Sequence, residues 1–240
     1  MVIDDDPRPT LDLLWHGIAA PRRGPRHRLT VDAVVEAATG IAEEEGLAAL
    51  SMRRVAAALG VGAATLYTYI PDKSALLALM VDTMIAEVPL PHTRPGTWRE
   101  KTARQAREDL AGYRAHPWLV DLMATDHPIG PGALAWTDSA IRMFDGTGLS
   151  DREVLSVIES VDGYVRGHAS RVVEADRTAR RAGRSEAQLE YLARNLEPGR
   201  FTAIERLTEP GPDAEEVFEQ GLGWLLDGVE HRIRAAADRR

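Results

Sequence analysis

The chain reads as all-α, with a small three-helix unit near its N-terminus followed by a larger helical body. Helix-opening signatures, in which Ser, Thr or Asp is followed three residues later by Glu or Gln, recur at Thr97-Glu100, Ser150-Glu153, Ser185-Gln188 and Asp213-Glu216. The segments they open keep apolar residues at helical spacing, and no stretch alternates as a strand would. The third observation is the stretch Leu50 to Ser74, which fits two short helices joined at a tight glycine turn.

Residues 1–27 form an extension rich in Pro and Asp, with one apolar patch at Leu11, Leu13, Leu14 and Trp15. The patch suits a disordered tail or docking on the body equally. Arg22, Arg23, Arg26 and Arg28 follow in a Gly-Pro context. A basic run just before a DNA reader suits a phosphate or minor-groove arm. The first helix spans about Val31 to Glu45, capped by Thr30, with Val34, Val35, Ala38, Ile41 and Ala42 on one face. Ser51 caps the next, Met52–Leu59, which Gly60 ends. Val55, Leu59, Val61, Leu66 and Ile70 make one apolar face across both short helices, with Ala56 small enough for their crossing. Ala63, Ala64, Thr65, Tyr67, Thr68 and Tyr69 are left to look outward or sideways, as a recognition helix entering a major groove requires. A linker helix from Asp72 to about Val88 carries Leu76, Leu77, Leu79, Met80, Met84 and Ile85 before Pro89, Pro91 and Pro95 break the chain. The expected organisation is therefore 1–27 extension, 28–74 helix-turn-helix reader, linker helix 72–88, and 89–240 helical body.

Glu45-Gly46, Ser51, Leu59-Gly60-Val61, Thr65-Leu66-Tyr67-Thr68-Tyr69 and Asp72-Lys73 together resemble the DNA-binding domain of the tetracycline-repressor (TetR) family of bacterial regulators. The resemblance runs from about Thr30 to Val88. It implies a ligand-responsive regulator, most simply a repressor that a small molecule releases from a palindromic double-stranded DNA operator. Ala63-Ala64 departs from the pattern, since many relatives carry polar base-reading side chains there, so readout passes to neighbours or to DNA shape. Arg53 can fork onto guanine, while Thr65, Tyr67 and Tyr69 can donate to phosphate, and Thr68 or the Ala63 methyl can touch a thymine methyl. Lys73 is similar in position to a family residue that grips the DNA backbone. The expected DNA contacts are thus Arg26, Arg28, Ser51, Arg53, Ala63, Ala64, Thr65, Tyr67, Thr68, Tyr69 and Lys73.

A net charge of −8 sits awkwardly with DNA, but its distribution answers the objection. Seven cations against six anions lie between Ala20 and Ser74, so the acidic balance belongs to the body. The absence of cysteine excludes disulfides and thiolate chemistry and is compatible with a reducing cytoplasm. The first twenty residues lack a signal peptide's basic start, and no apolar run approaches a membrane span, so a cytoplasmic protein with no membrane partner is expected.

In the body, helices near Ser150–Arg181 and Asp213–Ala237 carry apolar stripes, Val154, Ile158, Val161, Val165, Ala169 and Val172 on one, Phe218, Leu222, Leu225, Val229 and Ile233 on the other. A monomeric core explains the stripes. Gly163 with Gly167, Gly221 with Gly228, and the resemblance favour a homodimer closed by a two-fold four-helix interface. Trp118, Met123, His127, Trp136, Met143, Phe144, Tyr164 and His168 combine apolar bulk with polar tips, which suits a ligand pocket and suits a core as well. The resemblance implies that some of them line an effector cavity. No metal-ligand spacing, nucleophile elbow or phosphate loop is present, so no metal, no cofactor and no enzyme activity is expected. A helical enzyme or binding protein on the same fold, an activator, and a global nucleoid protein are the alternatives.

Overall fold

The computed structural model describes residues 6–17, 29–125, 127–179, 184–195, 197, 199–207 and 211–238, the side chains of 176–179, 184–186, 188–189 and 193 excepted. Arg26 and Arg28 and the rest of the basic arm lie outside the described residues, as do the side chains of the Ser185-Gln188 cap. The described secondary structure is helical throughout.

Local chemistry accounts for the reader. Helix α2 (Val31–Glu45) opens on Thr30, whose hydroxyl accepts from Ala33 N–H at 3.2 Å. Helix α3 (Met52–Ala58) opens on Ser51, which accepts from Arg54 N–H at 3.3 Å. Gly60 then takes φ +68°, left-handed backbone that favours glycine, and the next amide, Val61 N–H, reaches back to Ala56 O at 2.9 Å. Helix α4 (Ala63–Tyr69) drops Leu66 into the core, fully buried beside Val34, Val55, Ala56 and Ile70. Helix α5 (Lys73–Glu87) is capped by the Asp72 carboxylate, which accepts from Ala75 N–H at 2.8 Å.

α5 is buried nearly all round, from Ala75 to Asp82, which marks it as the central helix rather than a surface one. The segment 73–93 is in fact apolar enough by composition to cross a membrane, which corrects the expectation that no such run exists. The α-helix itself has fifteen residues, about 22 Å at 1.5 Å per residue against the roughly 30 Å a bilayer requires. Its apolar surface is used in the protein's own core.

The N-terminal patch docks. Helix α1 (Arg8–His16) buries Leu13 and Leu14 in the same core as Leu76 and Met80, and Trp15 Nε1 donates to Ile129 O at 3.2 Å. Between docking and a disordered tail, the described part of the extension takes docking.

The body begins with a single 3-10 turn (Pro91–Thr93), then α6 (Trp98–Ala115), α7 (Trp118–Met123), α8 (Pro131–Arg142), the long α9 (Asp151–Ala179), α10 (Arg184–Asn195), the short α11 (Thr202–Glu205) and α12 (Ala214–Ala237). Full capping boxes open α6 and α12, and Ser150 and Glu153 exchange the same bonds before α9. Helix α7 inserts Trp118 and Leu122 into the reader's core, so that core is continuous with the body. A second core joins α6, α9 and α12 through Leu110, Tyr113, Val161, Val165, Phe218 and Leu222. Most of both stripes is therefore buried within one chain, with Val173 and Leu226 buried where Val172 and Leu225 were expected to turn inward. Gly221 also has an internal reason, because a Cβ there would strike the Tyr164 ring and hydroxyl.

Candidate functional site

The reading surface is built on α3 and α4. Leu66 anchors α4 from below, which leaves Ala64, Thr65, Tyr67 and Thr68 exposed and turns Ala63 and Tyr69 partly against the core. Tyr67 is half exposed, its ring free to meet a groove wall. Thr68 returns its hydroxyl proton to Ala64 O at 3.0 Å, so its methyl is the part left for a base. Ser51 spends its oxygen on the cap. Arg53 and Arg54 divide sharply: Arg54 is ion-paired with Glu45, whereas Arg53 is exposed with no partner among the described residues. Lys73 stands half-buried at the first turn of α5.

Behind α5 lies a cavity of about 410 Å³, within the range of small-molecule sites. α5 lends it Val81, Met84, Ile85 and Glu87, with Val88 just beyond its end, α6 lends Gln105, Glu108, Asp109, Gly112 and Tyr113, and His116, Leu119 and Met123 close it. A smaller hollow of about 30 Å³ meets it at Gln105 and Asp109 and is lined by Trp136, Met143 and Phe144. The polar centre of both is one pair: Gln105 Nε2 donates to Asp109 Oδ1 at 2.8 Å, while buried Gln105 Oε1 has no partner. Burial pushes the Asp109 carboxyl up to about 6, the Gln105 hydrogen bond opposing and Asp162 adding to the rise. Burial likewise raises the Tyr113 hydroxyl.

Three contacts tie this cavity region to the reader. His116 Nδ1 lies 2.5 Å from Glu43 Oε1 of α2. The buried Asp82 carboxylate accepts from Gly132 N–H (3.2 Å) and Ala133 N–H (2.9 Å), capping α8 from a neighbouring helix. α5 itself turns Leu76 and Met80 to the reader core and Met84 and Ile85 to the cavity.

The model for "Bacterial regulatory proteins, tetR family" matches residues 27–80, and that for the "Tetracyclin repressor-like, C-terminal domain" matches 90–233. The chain belongs to the TetR family.

Like other TetR-family members, it is a ligand-responsive DNA-binding regulator. It is 41% identical over 233 residues to the HTH-type transcriptional repressor DrrR1 of Streptomyces coeruleorubidus, covering 92% of this chain and 84% of that one. Its fold is similar to apo ActR from Streptomyces coelicolor (TM-score 0.76, 28% identity, 88% of this chain and 100% of that one). It is similar also to ActR in complex with actinorhodin (TM-score 0.74, 29% identity, 86% and 99%).

The eight body residues expected near a ligand separate. Met123 lines the large cavity, and Trp136, Met143 and Phe144 line the small one. Trp118, Tyr164 and His168 instead pack in the two cores. Trp118 belongs to the reader's cluster, and Tyr164 and His168 stack around Phe218, with Tyr164 donating toward Val217 O and Phe218 O. Burial, reinforced by Arg114 and Arg171, holds His168 below its usual value. His127 turns its Nε2 back to Thr125 Oγ1 at 2.7 Å and to Leu122 O, at the end of α7, at 3.0 Å. An aromatic at helical spacing satisfies a core and a pocket alike, so the TetR-family body could not be divided on spacing alone. Gln105, Asp109 and Tyr113 were missed because α6 is rich in charge and reads as a solvent face; their i, i+4, i+8 spacing was the available signal. Among the described residues no three His, Asp or Glu side chains come together as a metal site.

Proposed function

We propose that the protein is a homodimeric cytoplasmic repressor whose two reading surfaces hold a palindromic operator until a small effector enters the cavity behind α5. The observation that carries this reading is the double service of α5, one face in the reader core and the other in the cavity wall. An effector that spreads Met84 and Ile85 from α6 tilts α5 and moves α4 relative to successive major grooves. Linkage makes the effect reciprocal: operator and effector oppose one another with a single coupling free energy. ActR, solved with actinorhodin, and DrrR1, named a repressor, support the assignment.

Arg53 supplies base readout, Tyr67, Tyr69 and Thr65 grip phosphate, Lys73 grips the backbone, and Ala64 and Thr68 present methyls to the groove. For the dimer, Gly163, Gly167 and Gly228 have open space around them in the single chain, and Leu155 and Trp224 are exposed on α9 and α12. A second copy laid across these helices closes a four-helix interface. Footprinting on the DNA upstream of the protein's own gene, joined to light scattering, tests the reading. A dimer protecting two half-sites one helical turn apart is expected. A monomer that binds DNA tightly, or uniform coating of unrelated DNA, overturns it.

A further inference from the structure

We infer that the cavity takes a cationic amphiphile, an apolar ring system bearing a protonated amine, whose N–H groups are received by the Asp109 carboxylate and the Gln105 carbonyl. The inference rests on the proposal that this cavity is the effector site and names the class of effector. Its walls are apolar where they meet α5 and α7, through Val81, Met84, Ile85, Leu119 and Met123. Such walls hold rings of any charge. The polar groups choose among them.

Gln105 is 5% exposed; its amide nitrogen is committed to Asp109, and its Oε1 has no partner. Among the described residues the Asp109 carboxylate accepts from Gln105 alone. Both residues line the cavity and carry acceptors in want of a donor, and a buried acceptor without one is costly to leave unmade. The charges point the same way. Glu87, Glu108 and Asp109 line the cavity, and no Lys or Arg does among the described lining residues. The cations nearby are already engaged, Arg94 by Glu108 and Arg166 by Asp162 at 2.8 Å and by Met123 O at 3.3 Å, and the His116 ring is hydrogen-bonded to Glu43. An anionic ligand would set a further negative charge beside Asp109 and Glu87. A neutral one would leave the carboxylate uncompensated. A protonated amine compensates it and fills both acceptors with charge-assisted bonds.

A pH dependence follows from the same geometry. The groups facing Asp109 are Glu108 and Tyr113 of its own helix, Asp162 and Arg166 of α9, Glu87 of α5, Arg94 and His116. The cation needs Asp109 ionised, so its affinity falls as acid protonates that carboxyl, by about tenfold between pH 7.5 and pH 5 for a group titrating near 6.

The test uses the full chain and three ring-matched fluorescent probes, 9-(aminomethyl)anthracene, 9-(hydroxymethyl)anthracene and 9-anthracenecarboxylate. Titrations of wild type, Asp109→Asn and Gln105→Leu are followed, with operator binding read in parallel. The amine is expected to bind at least about tenfold tighter than the alcohol and tighter still than the carboxylate. Asp109→Asn is expected to bring amine and alcohol within about threefold of one another and to abolish the pH dependence, and Gln105→Leu to weaken the amine by several-fold. Equal or tighter binding of the alcohol or the carboxylate overturns the cationic assignment; if that probe also strips the protein from its operator, the cavity remains the effector site. Binding of the amine that survives Asp109→Asn undiminished overturns the assignment too. Binding that persists when Met84→Trp fills the cavity, or no binding by any probe, removes the assignment and the effector-site reading together.

Discussion

Asp82 and Gly132 fit as cap and socket: the buried carboxylate accepts the Gly132 amide, and a Cβ on that glycine would lie 2.5 Å from Asp82 O. Gly130 is constrained in the same way by the Asp82 carboxylate. The Gly-Pro-Gly run that opens α8 therefore lets the two helices meet closely around the Asp82 carboxylate. Through that contact, α5 and α8 are held as one unit.

Asp82→Ala orphans two amides at the start of α8 and is expected to lower stability by about 1–3 kcal/mol, with Asp82→Asn losing less because one acceptor remains. Gly132→Ala forces the two helices apart and is expected to cost a similar amount. Denaturant unfolding reads both. Wild-type stability in Gly132→Ala would show that the contact yields freely.

His116 and Glu43 couple the cavity to α2 across partly exposed side chains. A double-mutant cycle with His116→Ala and Glu43→Gln, scored by the shift in operator affinity on adding effector, is expected to return a small coupling of about 0.2–1 kcal/mol. Simple additivity would leave α5 as the whole route.

Burial raises the Asp109 carboxyl from the ordinary carboxylate range to about 6, so the folded state holds that proton more firmly than the unfolded chain does. The contribution of Asp109 to stability is accordingly full below about pH 4 and is lost as pH rises through the window from 4 to 6. Asp109→Asn is expected to gain about 1–3 kcal/mol at pH 7.5 and nothing near pH 4. Thermal melts across pH decide it, and a destabilised Asp109→Asn at neutral pH would mean that the charge is compensated in the free protein.

Arg53→Ala is expected to cost about 1–3 kcal/mol at one base pair per half-site and to relax preference there. Arg54→Ala, whose guanidinium already belongs to Glu45, is expected to change operator choice little. Tyr67→Phe removes a phosphate partner and weakens every operator by a similar factor. Binding to operators varied base by base separates the three; uniform weakening by Arg53→Ala would make Arg53 a phosphate contact.

Removing residues 1–17 uncovers the apolar surface of α5 that Leu13 and Leu14 occupy and is expected to cost about 2–4 kcal/mol of stability. Replacing the arginines of 22–28 by glutamine is expected instead to flatten the dependence of operator affinity on salt while leaving stability unchanged. Affinity measured across a salt series, beside unfolding curves, tells the two segments apart.

What the sequence determined by itself lies within about one helical turn of the residue that encodes it. Thr30 and Ser51 cap the helices they were read to cap, Asp72 stands at the start of the linker helix it was read to open, Gly60 takes the left-handed turn, and Leu66 fills the crossing, because a cap or a turn needs only the next three or four residues. The all-α class and the reading helices followed from such local terms. The tertiary structure decided everything that depends on a partner distant in the chain. Asp82 reads as an isolated charge in an apolar run until Gly132, fifty residues on, is brought against it. Gln105 and Asp109 read as surface until α5 and α9 close over them, and Trp118 and Tyr164, read as pocket, are sealed by helices the spacing could not place. Helical periodicity states which residues share a face; which face meets a neighbour, and whether a void remains between them, is fixed only when the helices pack.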